Sequence, residues 1–339
     1  MRMAGKEAVV IRPLYRHSRE SGNPAFLSAG EEQGSGTPAF AGVTKLKRLP
    51  KRAILIVNAK SRQGAAAFDA ACRLLSEAGL ELLETHAVKN PKKMGELVKA
   101  ATAKAPMVII GGGDGTLSET VDDFLGTNTI FAVLPLGTAN SFARTMGIPL
   151  DLPGAVEVIA HGRPLAIDLG RINDDYFLNN AAIGLAPVVA ESVPHGLKRT
   201  FGRLGYLLWA GWSAASFNAF RLKIQVGGRT HRLWATEVRI ANGRFHGGVE
   251  LIENADVESG QLLVQVVRGR SLVRLGWNYL ASAMKLTSRS ERLREFHGKK
   301  LVITTRPPMR VSIDGELGPE TPFTASIAPA AVTVAAPRR

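Results

Sequence analysis

Between Arg52 and Gly147 short apolar runs take turns with helix-compatible stretches, and this alternation constrains the fold more than any other feature. "AILIVNA" (53–59), "PMVIIGG" (106–112) and "IFAVLPLG" (130–137) are apolar almost throughout, as strands buried on both faces are. "LELLETHAV" (80–88) reads as one more strand. The stretches between them, 65–78, 91–105 with its leading proline, 117–125 and the start of "NSFARTMG", carry helical patterns. Strands alternating with helices predict an α/β domain with a mostly parallel sheet covered on both faces.

After about Ile167 the texture changes. "AIDLGRI", "YFLNNAAIG", "FRLKIQV", "RLWATEVRIAN", "QLLVQVVRG", "KLVITTR", "MRVSIDGEL" and "AVTVAAP" are strand-like runs, with turns such as Gly227-Gly228 and Gly247-Gly248 between some of them. They predict an antiparallel β-sandwich or flattened barrel, with helical inserts at about 197–218 and 271–286. Residues 1–51 show no sustained period, and "SGNPAF" recurs as "SGTPAF" among Gly, Ser, Pro and Glu. This stretch resembles translated intergenic repeat sequence and is read as an extension outside the native fold. The expected organisation is therefore 1–51 extension, 52–167 α/β domain and 168–339 β domain, with the last segment able to pack back on the first domain.

The formal net charge is +14, of which residues 1–51 supply +5 (nine Lys/Arg, four Asp/Glu). Such a balance favours an anionic partner: nucleic acid, an anionic membrane surface or a phosphorylated small molecule. Aromatics make up only 6% and are not interleaved with Arg and Lys, which argues against nucleic acid. The single cysteine, Cys72, rules out an intrachain disulfide or a cysteine zinc site and fits a reducing compartment. The most apolar stretch, 204–220, falls short of the ~20 residues a spanning helix needs. A cytoplasmic protein acting at a membrane surface is expected.

Three strand ends carry loops suited to ligand binding. "VIIGGGDGTL" (108–117) places four glycines around Asp114 where a strand gives way to a helix. Glycines there let phosphate oxygens approach backbone N–H groups. The loop lacks the lysine of a Walker A motif and the spacing of a dinucleotide fingerprint. "NAKSRQG" (58–64) and "PLGTANSFAR" (135–144), with Gly137, Thr138 and Asn140 at its turn, also follow strands, so the three loops converge on one edge of the sheet.

"GGDGT" (112–116), "PLGTAN" (135–140), "FLNNAAIG" (177–184), "ANGRFHGG" (241–248) and "IDGE" (313–316) resemble, in order, the motifs of the diacylglycerol kinase catalytic-domain family, which includes bacterial lipid kinases and sphingosine kinases. The resemblance runs from about Ala53 to Pro337. It implies an N-terminal domain like that of NAD kinase and a C-terminal β-sandwich, with the active site in the cleft between them. It implies ATP and Mg²⁺ as cofactors and a lipid alcohol, such as diacylglycerol or a sphingoid base, as acceptor. Carried over by position, it puts ATP on Asn58, Thr85, Gly112, Gly113, Asp114, Gly115, Thr116, Leu117, Ser118, Gly137, Thr138 and Asn140. Asp114 would orient the phosphates through Mg²⁺ and water. Glu316 would be the general base, with Asp314 beside it. Taken alone, Asp314-Gly315 also reads as a hairpin turn.

Two departures from the family pattern stand out. Ser141 follows Asn140 where many relatives carry Asp, and Ser259 stands where an Asp supplies a metal ligand in some bacterial members. Asp256 or Glu258 is then the carboxylate left to hold a structural metal, with Asp256 the candidate taken forward. Segment 271–294 has an apolar face (Leu272, Leu275, Tyr279, Met284) and basic residues Arg274, Lys285, Arg289, Arg292 and Arg294. It reads either as an interfacial helix with a basic patch or as a helix packed on the sandwich with a solvated basic end. A lipid kinase is the expected activity, with homodimerisation left open. The rival readings are an NAD kinase-like enzyme, which shares the GGDGT loop, and a degenerate kinase that binds nucleotide or lipid as a regulator.

Overall fold

Four strands form the nucleotide half of the sheet: β1 (Arg52–Asn58), β2 (Glu81–Val88), β3 (Met107–Gly112) and β4 (Ile130–Pro135). Every residue of β3 and β4 is buried, as is Ala53–Val57 of β1, which is why their sequences are uniformly apolar. They pair in parallel in the order β2-β1-β3-β4. Helices α1 (Gly64–Glu77), α2 (Met94–Thr102), α3 (Asp114–Thr120), α4 (Ser141–Thr145) and α5 (Leu152–His161) connect and cover them. The computed structural model describes residues 48–60, 64–184, 219–269 and 293–338. Residues 1–47 of the expected extension 1–51, Arg62 and both predicted helical inserts lie outside the described residues, whereas Leu49, expected in that extension, is buried in the core of the parallel half.

The second half is antiparallel. Its strands are β5 (Arg163–Ile172), β6 (Asp175–Phe177), β7 (Asn180–Gly184), β8 (Phe220–Val226), β9 (Arg229–Ala241), β10 (Phe245–His246) and β11 (Val249–Glu250). They continue with β12 (Leu262–Arg268), β13 (Leu293–Gly298), β14 (Lys300–Arg306), β15 (Arg310–Ile313), β16 (Glu316–Glu320) and β17 (Phe323–Ala336). One core packs around the parallel sheet and takes in Val332 and Val334 of β17; a second lies among Phe177, Ile240, Val264, Ile303 and Val311.

Strand β17 joins the two halves. Phe323–Ser326 pair antiparallel with β14, whereas Val334 pairs in parallel with Phe131 of β4. Between these stretches the chain bulges: opposite β5 the register jumps from Ala328↔Leu169 to Val332↔Ile167, and Ala330 adopts φ +46°. The break faces Asp168.

Three local differences from the sequence reading have physical causes. Helix α5 was not anticipated, because Pro153 and Gly154 look like a loop; Asp151 caps it, accepting from the Gly154 N–H at 2.8 Å. "YFLNNAAIG" divides into β6 and β7, because the N–H groups of Leu178 and Asn179 bond to a side chain instead of a strand. Arg294, expected at the basic end of segment 271–294, lies in β13 with its guanidinium 5.3 Å from the Phe296 ring centre.

Candidate active site

The strand order β2-β1-β3-β4 reverses direction between β1 and β3, and the crevice beyond their carboxyl ends is where such sheets bind ligands. Asn58 ends β1 and donates from Nδ2 to Thr116 Oγ1 at 2.8 Å, bridging that crevice. Its Oδ1 accepts the Lys60 N–H. Thr116 itself is buried in the first turn of α3.

The glycines of this loop have different jobs. A Cβ on Gly111 would lie 2.9 Å from Val57, and one on Gly112 2.7 Å from Thr116. A Cβ on Gly137 would lie 2.5 Å from the Gly113 Cα, so the GGDGT and PLGTAN loops touch backbone to backbone. Only Gly115 has open space in front of it. Gly111 and Gly113 therefore serve packing against other segments, Gly112 makes room for Thr116 of its own helix, and open space remains at Gly115.

Asn140 is buried in αL conformation, with Oδ1 accepting the Gly137 N–H and Nδ2 donating to the Pro135 and Gly137 carbonyls. It shapes the turn from inside and leaves Thr138 exposed at the tip. Leu117 and Ser118 are buried. Asp114 is half-buried; its Oδ1 accepts the Phe142 N–H of α4 at 3.0 Å. Ser141 Oγ accepts the Gly248 N–H at 3.1 Å from the β10–β11 turn, tying the loop to the β half.

The DGE segment arrives from the same side. Asp314 (φ +46°) and Gly315 (φ +94°) form the two-residue turn between β15 and β16, with Ile313 paired to Glu316. The hairpin reading and the site reading thus coexist. Asp314 Oδ2 accepts the Leu178 N–H at 2.8 Å, and Oδ1 accepts those of Asn179 (3.1 Å) and Asn180 (3.0 Å). Burial pushes its carboxyl up to about 6 despite these three bonds, and the negative charge of Asp114 adds to the rise. The same Asp114 charge acts on His246, whose pKa is held below the usual value by burial first and by the Arg239 cation second. Glu237 and Asp114 oppose that shift. Asp114, His246 and Asp314 therefore share one electrostatic neighbourhood. Glu316, first in β16, is exposed.

Two family models match consecutive parts of the chain: Diacylglycerol kinase catalytic domain over residues 52–172, and YegS C-terminal NAD kinase beta sandwich-like domain over 180–336. The chain belongs to the diacylglycerol kinase catalytic-domain family. It is 28% identical over 256 residues to a protein named diacylglycerol kinase from Staphylococcus aureus, covering 73% of this chain and 80% of that one. A Synechocystis protein whose name states no function is 27% identical over 282 residues, covering 78% of this chain; this chain spans 64% of that relative's length. The crystal structure of a diacylglycerol kinase from Bacillus anthracis shares the fold, with TM-score 0.68, 23% identity and coverage of 86% of this chain and 98% of that one.

Within this diacylglycerol kinase-family framework two expected site residues lie elsewhere than at the Asn58–Thr116 bridge. Thr85 is exposed on edge strand β2, paired with Leu55. That is three residues before the Asn58↔Val88 pair and on the opposite sheet face from Asn58. Asp256 lies in the turn before β12, where its Oδ1 accepts the Glu258 N–H at 3.0 Å. No group of three or more His, Cys, Asp or Glu suited to a metal occurs among the described residues. Sequence reasoning gave no role to Asn179, Asn180 or His246, although "FLNN" and "RFHGG" were both visible as motifs.

Proposed function

We propose that this protein is an ATP-dependent lipid kinase that transfers the γ-phosphoryl group to the hydroxyl of a lipid alcohol, diacylglycerol or a sphingoid base. The observation that carries the reading is that α4 binds both sides: its Phe142 N–H donates to Asp114 at the nucleotide-type crevice, and its Thr145 hydroxyl bonds to Asn179, whose N–H donates to Asp314 of the DGE hairpin. Phosphoryl transfer needs its phosphate site and its acceptor base within reach of one another.

ATP is assigned to the crevice, its phosphates over the open space at Gly115 and beside Gly113 and Thr138. Asp114, whose Oδ2 has no hydrogen bond among the described residues, would hold through water the Mg²⁺ carried with ATP, which would supply charge neutralisation there. Glu316 takes the proton of the lipid hydroxyl as that oxygen bonds to the γ-phosphorus. The bond between the γ-phosphorus and the β–γ bridging oxygen breaks, and ADP leaves with the electron pair. Asp314, with its carboxylate committed to three N–H groups, sets the direction in which Glu316 is presented.

The test is transfer of label from ATP into a mixed lipid extract, followed by mass analysis of the product. Glu316→Gln should cut the rate by about 10²- to 10⁴-fold while ATP binding is retained. An undiminished rate would remove Glu316 as the base. Absence of labelled lipid with the unaltered protein, under any divalent metal, would favour a nucleotide-binding regulator instead.

A further inference from the structure

Asp168 lies where the two halves of the fold meet, and its four polar atoms bind three different segments. Its carboxylate is buried; Oδ1 accepts the Ala330 N–H from the β17 bulge at 2.8 Å, and Oδ2 accepts the Gly260 N–H at 2.6 Å. Its N–H donates to the Val257 carbonyl at 2.7 Å, and its own carbonyl accepts from Asn242 Nδ2 at 2.9 Å. Residues 257 and 260 belong to the turn 256–261, the place where family resemblance implies a structural divalent cation.

That turn is already closed by hydrogen bonds. The Ser259 N–H and its hydroxyl both donate to the Asp256 carbonyl, at 3.2 and 2.8 Å. The hydroxyl lies 3.0 Å from the Gln261 carbonyl and accepts the Gln261 N–H at 3.3 Å. Asp256 Oδ1 accepts the Glu258 N–H. A hard cation needs about six oxygen ligands, with carboxylates among them. Here Ser259 is neutral, Asp256 is engaged, and the oxygens of Asp168 face N–H dipoles whose positive ends would repel a cation.

We infer that in this protein hydrogen bonds to Asp168 and Ser259 do the structural work that the family resemblance assigns to a divalent cation at turn 256–261, so that the joint between the two halves forms without metal. Ser141 is the parallel case at the neighbouring loop: where many relatives carry Asp, its hydroxyl binds the Gly248 N–H directly. The metal requirement of this chain is then confined to the ATP site.

Thermal unfolding of the full chain without nucleotide or lipid tests this apart from any activity. Unfolding temperatures in excess EDTA and in millimolar Mg²⁺, Ca²⁺ or Mn²⁺ should agree to within about 1 °C, well below the ~2–4 °C shift of a 1 kcal/mol effect. Asp168→Asn should lower the midpoint by about 5 °C or more, equally with EDTA and with Mg²⁺. Ser259→Ala, on an exposed turn, should lower it by a smaller and equally metal-independent amount, and serves if Asp168→Asn fails to fold. A cation-induced rise that Ser259→Ala or Asp256→Asn abolishes would overturn the inference. A rise that survives both arises at another site and leaves the metal-free joint supported.

Discussion

Asp314 and Asn180 exchange two hydrogen bonds: the Asp314 N–H donates to the Asn180 carbonyl at 2.9 Å, and the Asn180 N–H donates to Asp314 Oδ1 at 3.0 Å. This pair seats the DGE hairpin on the FLNN segment, 134 residues away in the chain. The direction of Glu316 is therefore a property of the FLNN backbone as much as of its own hairpin.

The seat should leave a signature in the pH dependence of stability. Asp314 is raised from 3.8 to about 6 in the folded state, so between these values the folded protein binds more protons than the unfolded one. Its contribution is fully present below about pH 4 and is lost as pH rises through 6, a change of up to about 3 kcal/mol. Urea unfolding at pH 4 and pH 7 should show Asp314→Asn losing less stability over that interval than the unaltered protein. Equal losses would show that Asp314 does not titrate in this range.

Two glycines of the nucleotide loops should respond in opposite ways to alanine. Gly137→Ala drives a Cβ into the Gly113 backbone and should cost about 1–3 kcal/mol in chemical denaturation. Gly115→Ala meets no atom within 4 Å and should leave stability unchanged or raise it by about 0.5–1 kcal/mol. ATP affinity, measured by nucleotide titration, should fall in Gly115→Ala because the methyl group would occupy the ligand's space.

The Asn58–Thr116 bond should couple the two strand ends that frame the crevice. A double-mutant cycle with Asn58→Ala and Thr116→Val should give a coupling of about 0.5–1.5 kcal/mol in stability. Asn58→Ala alone should also weaken ATP binding. A coupling near zero would mean that the bond does not hold the crevice together.

Ser141→Ala removes the acceptor of the Gly248 N–H between the nucleotide loop and the β10–β11 turn. It should lower stability by about 1 kcal/mol. It should also slow lipid phosphorylation more than it weakens ATP binding, since the turn it releases belongs to the acceptor side. Matched losses in ATP affinity and turnover would place Ser141 on the nucleotide side alone.

Much of the nucleotide half was legible because its three central strands are buried on both faces and contain scarcely a polar residue to obscure the pattern. The glycine loops stood out in the sequence, but one reason for the glycines did not: Gly111, Gly112 and Gly113 leave no room for a Cβ beside Val57, Thr116 and Gly137. The contacts with Val57 and Gly137 join segments far apart in sequence and leave no local period. The same holds for Ser141 with Gly248 and for Asp168 with Ala330. The full length of β17 was hidden too, since Pro329 and the bulge at Ala330 interrupt its alternation and only "AVTVAAP" reads as a strand.

The sharing of β17 between the halves has a consequence for synthesis on the ribosome. β4 has β3 on one side, and on the other it waits for the segment around Val334. Until the segment around Val334 emerges, the nascent nucleotide half carries an uncovered, wholly apolar edge strand, the kind of surface on which other chains pair and aggregate. An expression fragment ending near residue 167 would keep that edge permanently, so the two halves cannot be produced separately by cutting where the sequence changes character.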